Sequence, residues 1–168
     1  MELHESFAYN APIGSVIAML EDRDATVAKY ESMGHHEVEV LDLERRRGRL
    51  RIISTRVVDV ELPSFAKRVL RPTNTMLQTD EWERGPDGSW AGTFDVEVKG
   101  APVHIYGAMS LHPHGRETTH DVSVHVDVKI PLIGSRVAAW AAQGDVRRSV
   151  EGEFAFNSAW LGTHAVAV

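Results

Sequence analysis

The sequence contains no cysteine, no long apolar run and no excess of basic residues. Without cysteine the chain cannot form disulfides, thiolate nucleophiles or cysteine-based metal sites. No stretch approaches the ~20 apolar residues that cross a bilayer, and the opening stretch MELHESFAYN lacks the basic and apolar regions of a signal peptide. We therefore expect a soluble cytoplasmic protein.

The charge balance is acidic: 18 Lys and Arg stand against 24 Asp and Glu, which gives a formal charge of -6 at pH 7. This balance disfavours nucleic-acid binding, and we expect no nucleic-acid partner. The strongest basic run is RRRGRLR. It predicts a hairpin tip with solvated arginines, or alternatively a transient contact with an anionic membrane through Arg45, Arg46, Arg47 and Arg49.

The length and pattern of the chain indicate a single domain over residues 1–168. A first strand is followed by two short helices and then by a meander of strands, with turn signals at RRRGR, RGPDGS, KGAP and HPHGRE. The stretch LPSFAKRVL interrupts the meander as a predicted short helix. After Pro131 the apolar period changes from two to about 3.6, which predicts a long C-terminal helix. The pattern is that of an α+β fold.

Turn positions predict the register of the central strands. A two-residue loop in KGAP places Val96 opposite Ile105 and Phe94 opposite Gly107. A loop centred on the HG of HPHG places Ile105 opposite Val124. All these side chains then share one apolar face, whereas the charged residues of the same strands face solvent.

An apolar sheet face must be covered, and the C-terminal helix is the obvious cover. Taken as one helix over residues 132–161, it carries one stripe that we expect to face the sheet. The side chains between sheet and helix either fill a solid core or leave a cavity. The stripe consists of Leu132, Ala139, Val146, Val150, Phe154, Asn157 and Leu161, with Gln143 beside it.

The order of elements resembles the helix-grip fold of the START-like (SRPBCC, Bet v 1-like) superfamily, over essentially the whole chain. The stretches LPSFAKRVL, QTDEWERGPDGSWAGTFDVEVKGAPV and VKIPLIGS are similar to an actinobacterial family of START-like domains with no established function. The resemblance implies a curved antiparallel sheet of about seven strands wrapped around the C-terminal helix. It also implies an apolar cavity between sheet and helix.

A ligand in such a cavity would contact apolar walls and a few polar groups. Gln78, Gln143 and Asn157 are candidates for orienting a ligand, and the strand parity of His120 points it inward. The expected ligand-binding residues are Gln78, Trp82, Phe94, Val96, Ile105, Met109, His120, Val124, Gln143, Val150, Phe154 and Asn157.

These features favour binding or carriage of a small hydrophobic or lipid-like molecule. One alternative is a cyclase-like or hydrolase-like enzyme that uses the same cavity, although the sequence has no GxSxG or paired-carboxylate motif. Another is a protein-interaction module. We expect no cofactor and no metal, because His104 and His125 lie on the solvent face without a fixed third ligand.

Overall fold

A computed structural model describes residues 1–164 of the chain. The strands are β1 (Glu2–Tyr9), β2 (His36–Arg46), β3 (Arg49–Asp59), β4 (Thr73–Arg84), β5 (Trp90–Val98), β6 (Val103–His114) and β7 (Glu117–Val128). The helices are α1 (Ile13–Leu20), α2 (Arg23–Ser32), α3 (Gly134–Ala141) and α4 (Arg147–Thr163), with a π-helical turn, Ala142–Val146, between the last two. The strands form one antiparallel sheet in the order β1-β7-β6-β5-β4-β3-β2. This architecture confirms the predicted α+β helix-grip fold.

The two short helices follow from local sequence. Pro12 precedes α1, where its missing N–H would have no helical partner in any case. The Asp22 side chain accepts a hydrogen bond from the backbone N–H of Ala25 at 3.0 Å and so caps α2. Gly34, at φ 83°, then reverses the chain into β2.

The predicted register is correct for one hairpin and shifted for the next. Val96 lies opposite Ile105 and Phe94 opposite Gly107, as the KGAP loop indicated. Ile105, however, lies opposite Val126 and not Val124. The turn begins one residue later than predicted, with Gly115 at φ 65°. A shift of two residues keeps every side chain on its original face, so the apolar face is unchanged.

The C-terminal helix differs from the prediction in its first half. A π-helical turn contains one extra residue, which rotates the preceding turns by about 100° relative to a continuous α-helix. Ala138 and Ala142 are therefore buried in the positions that the sequence assigned to Ala139 and Gln143. Leu132 precedes the helix and is fully exposed. From the last residue of the π turn onward, the inner side carries the predicted residues Val146, Val150, Phe154, Asn157 and Leu161.

The stretch LPSFAKRVL forms consecutive turns rather than the predicted helix. Ala66 N–H and Lys67 N–H both donate to the Pro63 carbonyl, and Val69 N–H and Leu70 N–H both donate to the Ala66 carbonyl, so the chain makes two separate turns here. Arg136 of α3 lies over the Phe65 ring, 4.0 Å from its centroid, and holds the segment against the helix. The segment thereby covers one end of the space between sheet and helix.

Buried apolar side chains form two clusters at opposite ends of the sheet. One cluster joins α1 and α2 to the hairpin ends and contains Val16, Leu50, Trp82, Trp90 and Leu111 among others. The other joins α3 to β1 and β7 and contains Leu3, Val122, Val124, Val126, Ala138 and Ala142. Over residues 1–164, no helix is long and apolar enough to cross a membrane.

Candidate ligand-binding cavity

A cavity lies between the concave face of the sheet and the C-terminal helical segment. Its volume is about 180 Å³, measured as the space open to the centre of a water-sized sphere. One water molecule needs roughly 10–15 Å³ on that measure, so the cavity has room for a larger molecule. Its apolar wall includes Phe7, Val58, Val60, Leu62, Leu70, Met76, Phe94, Val96, Val98, Val103, Ile105, Met109, Val122, Val124, Trp140, Val146, Val150 and Phe154.

Several inward-facing side chains of this wall are only partly buried. Phe94, Ile105 and Met109 on the sheet, and Val150 and Phe154 on α4, keep accessible surface although they point to the interior. In a close-packed core such side chains would be fully enclosed by their neighbours. The sheet and the helix therefore enclose open space here and do not meet in a solid core.

Most of the sequence-predicted site residues reach this cavity, and two do not. Gln143 is exposed, because the π-helical turn rotates it to the solvent side. Trp82 packs in the cluster around Leu50 and Leu111 and does not line the cavity, although its neighbour His120 does. The residues that line the cavity are Gln78, Phe94, Val96, Ile105, Met109, His120, Val124, Val150, Phe154 and Asn157. Contact of any of them with a ligand stays a prediction.

A chain of polar side chains crosses one part of the wall. Asn157 Nδ2 donates to Tyr9 Oη at 3.1 Å, and Tyr9 Oη lies 3.0 Å from His120 Nδ1. Burial lowers the pKa of His120 to about 4 and raises that of Tyr9 to about 12, so both side chains are neutral at pH 7. The Tyr9 hydroxyl can donate to Nδ1, which leaves the hydrogen of the neutral ring on Nε2. This Nε2 is enclosed and has no hydrogen-bond partner among residues 1–164.

A second polar group connects α2 with α4 and the sheet. Lys29 Nζ lies 3.2 Å from Glu153 Oε2. Burial disfavours both charges, but the mutual attraction outweighs it: the pKa of Lys29 is raised and that of Glu153 is lowered. Tyr30 Oη donates to Gln78 Oε1 at 3.2 Å, and Gln78 Nε2 donates to Asp80 Oδ1 at 2.8 Å. Lys29 and Glu153 are thus already paired with each other at the polar end of the cavity.

Arg56 is a further charged residue at the cavity. It belongs to β3, only 6% of its surface is exposed, and its guanidinium carbon lies 4.0 Å from the centroid of the Tyr30 ring. The His35 ring stacks near the same tyrosine at 5.8 Å between centroids. Burial, together with the charge of Arg56, lowers the pKa of His35 to about 4. Arg56 is therefore the cation beside two uncharged rings.

Sequence reasoning missed Tyr9, Arg56 and Glu153 as cavity residues, and it missed Lys29 and Tyr30, which contact Glu153 and Arg56. For Arg56 a signal was present in LRIISTRVVD, because Leu50, Ile52, Ser54 and Arg56 share one strand parity and are all buried. A charged residue in an otherwise inward-facing series is unusual and points to a site. Lys29 and Glu153 are far apart in sequence, and no local pattern pairs them.

Several solved structures share this fold. Human STARD10 superposes with a TM-score of 0.61 at 11% identity, over 97% of this chain and 66% of that chain. A START superfamily protein from Mycobacterium smegmatis gives a TM-score of 0.50 at 15% identity, over 91% and 96%. Norcoclaurine synthase from Thalictrum flavum gives 0.59 at 7% identity, over 98% and 87%. The fold is thus START-like, with the cavity between sheet and C-terminal helix.

The sequence family is also defined. The model of the family described as "Protein of unknown function (DUF2505)" matches residues 4–161, and the chain belongs to this family. No curated protein matches the sequence.

Proposed function

We propose that this protein binds or carries a small hydrophobic or lipid-like molecule in the cavity between the sheet and α4. The observation that carries the proposal is the partly unburied apolar wall formed by Phe94, Ile105, Met109, Val150 and Phe154. Apolar surface next to open space gains free energy when a ligand covers it, by about 25 cal/mol per Å² of apolar area. The polar groups at one end can fix the orientation of a ligand.

Titration with the uncharged fluorescent dye N-phenyl-1-naphthylamine tests the proposal. Saturable binding to one site is expected for the wild type. Ala141 lines the cavity, so Ala141→Phe should fill space and weaken binding by about tenfold or more. Ala155 lies on the exposed side of α4, and Ala155→Phe is the matched control that should bind like the wild type.

Two results would contradict ligand binding in the cavity. One is the absence of saturable dye binding to folded wild-type protein. The other is unchanged binding in an Ala141→Phe variant that is folded by circular dichroism, since the dye would then sit elsewhere. Native mass spectrometry of freshly purified protein provides an independent measurement, in which a co-purified apolar molecule is expected.

An enzyme that uses the same cavity is the second candidate. The Tyr9 and His120 pair favours it, because a hydroxyl and an imidazole lie within hydrogen-bond distance at the wall. However, the pKa of Tyr9 is raised, so its hydroxyl is a poor nucleophile at pH 7. Turnover of a bound probe that is lost in His120→Ala would support the enzyme over the carrier.

Delivery to an anionic membrane through the arginine hairpin belongs to the same proposal. The tip is formed by Arg46 to Arg49, with Arg47 and Gly48 both at positive φ. Carboxylates reduce its charge, because Arg45 pairs with Glu21 and Arg46 with Glu44. Sedimentation with phosphatidylserine vesicles should show binding that is lost when Arg46, Arg47 and Arg49 are replaced by glutamine; equal sedimentation of both proteins would contradict membrane contact.

A further inference from the structure

Arg56 carries a buried positive charge without a matching hydrogen-bond acceptor. Its side chain borders the cavity, and its Nε and Nη1 atoms have no acceptor among the described residues. A buried charge without a partner is costly, and the cost is several kcal/mol for an isolated ion. Tyr30 compensates in part, because its ring face lies 4.0 Å from the guanidinium carbon.

The neighbouring carboxylates are held by other groups. Glu153 forms its ion pair with Lys29, so Arg56 feels this carboxylate only from a longer distance. Asp80 accepts a hydrogen bond from Gln78. Neither carboxylate is hydrogen-bonded to Arg56 among residues 1–164, so an incoming anion can supply a direct partner for this guanidinium.

The cavity next to this guanidinium is apolar. Val58 follows on the same strand, Met76 lies opposite Arg56 on β4, and Val96, Val98 and Val103 continue the wall toward the KGAP turn. A molecule that places an anionic group at Arg56 would therefore bury an apolar remainder against these side chains. Such a molecule is amphipathic, with its charge at one end.

We propose that the ligand is an amphipathic monocarboxylate whose carboxylate pairs with Arg56, an inference that rests on the binding function proposed above. Guanidinium and carboxylate match in plane and in hydrogen-bond geometry. A single negative charge fits better than the double charge of a phosphate monoester, because Lys29 is already neutralised by Glu153. The carboxylate supplies an anionic partner for the guanidinium of Arg56, whose side chain borders the cavity.

The test compares three ligands with the same chain: decanoic acid, methyl decanoate and decyl phosphate. Their affinities are measured at pH 7.5 by displacement of N-phenyl-1-naphthylamine and, for the acid, by direct calorimetry. In the wild type the acid should bind about tenfold or more tighter than the ester, which is the range expected for a charge-assisted hydrogen bond. In Arg56→Met the acid should lose this advantage, whereas the affinities of the ester and the dye stay within about twofold.

Matched variants separate the role of Arg56 from general effects of charge. Arg68 is exposed in the segment between β3 and β4, and Arg68→Met makes the same change without touching the cavity. It should leave all affinities unchanged. Arg56→Lys keeps the charge, so it should retain part of the preference for the acid. If Arg56→Met does not fold, the wild-type comparison of acid and ester still decides whether the carboxylate is recognised, and Arg56→Lys reports on the role of Arg56.

Several outcomes would overturn the inference. Equal binding of acid and ester to the wild type would show that the carboxylate is not recognised, while dye binding would leave the hydrophobic carrier intact. Tighter binding of decyl phosphate than of decanoic acid would replace the monocarboxylate by a phosphate ligand. If neither the dye nor any of the three ligands binds, the proposed function fails together with this inference.

Discussion

The Tyr9 hydroxyl lies 3.0 Å from Nδ1 of His120, which joins the end of β1 to the inner face of β7 at the cavity wall. The same hydroxyl accepts a hydrogen bond from Asn157 of α4. The Tyr9 side chain thus connects the sheet to the C-terminal helix α4.

Tyr9→Phe is therefore expected to lower the unfolding free energy more than removal of a surface tyrosine hydroxyl does. The change leaves Asn157 Nδ2 and His120 Nδ1 without their partner, and a buried unsatisfied polar group costs about 1–3 kcal/mol. Urea unfolding measures the change. Tyr106, which donates to Asp127 on the outer face, provides the control Tyr106→Phe. An equal loss of unfolding free energy in both variants would mean that the buried hydroxyl of Tyr9 stabilises the fold no more than the exposed hydroxyl of Tyr106 does.

The pair of Lys29 and Glu153 should behave as a partly buried ion pair. Replacing Lys29 by methionine leaves Glu153 uncompensated and should cost up to about 3 kcal/mol of unfolding free energy. Replacing both by methionine should cost less than Lys29→Met alone, because no isolated charge remains. The exposed pair of Arg49 and Glu83 is the comparison, and Arg49→Met should cost under about 1 kcal/mol. A double variant as unstable as the single one would contradict this account.

Asp80 should make stability depend on pH in an unusual direction for a carboxylate. Burial raises its pKa to about 6 from 3.8, so between about pH 4 and pH 6 the folded state binds the proton more tightly than the unfolded state. The contribution of Asp80 to stability is therefore present below about pH 4 and is lost as pH rises through 6. Asp80→Asn keeps the Oδ1 acceptor for Gln78 and should stabilise the protein by on the order of 1 kcal/mol at pH 7.5.

The control for this experiment is Asp95→Asn, which changes an exposed carboxylate on the outer face. Thermal or urea unfolding of the three proteins from pH 4 to pH 8 gives the two difference curves. The gain from Asp80→Asn should grow between pH 4 and pH 6 and then stay constant. A gain that does not change with pH would mean that Asp80 has an ordinary pKa.

Phe154→Ala distinguishes a cavity wall from a packed core. One face of the ring stacks on Phe7 at 4.2 Å between centroids, and the residue also borders the cavity. Its removal should therefore cost less than the roughly 3–5 kcal/mol of an enclosed phenylalanine. Leu111, which is 0% exposed, provides the reference, and Leu111→Ala should cost at least as much in urea unfolding. A clearly larger cost for Phe154→Ala would indicate a solid core.

The order of the strands, and which side chains of each strand face inward, could be predicted from the sequence because both depend on neighbouring residues in the chain. Alternation and turn residues predicted the antiparallel meander, and the register at KGAP placed Val96 and Phe94 correctly. His120 and Asn157 were predicted to face inward for the same reason, since parity on a strand and phase on a helix are local properties. Even the shifted β6–β7 register left each side chain on its face.

Only the tertiary structure decided what lies between sheet and helix. The sequence allowed either a filled core or a cavity, because the volume between two surfaces depends on their separation and not on their patterns. The π-helical turn that moved Gln143 outward has no signal in apolar periodicity. The pairing of Lys29 with Glu153 joins residues distant in the chain; such contacts are set by packing, and local sequence does not encode them.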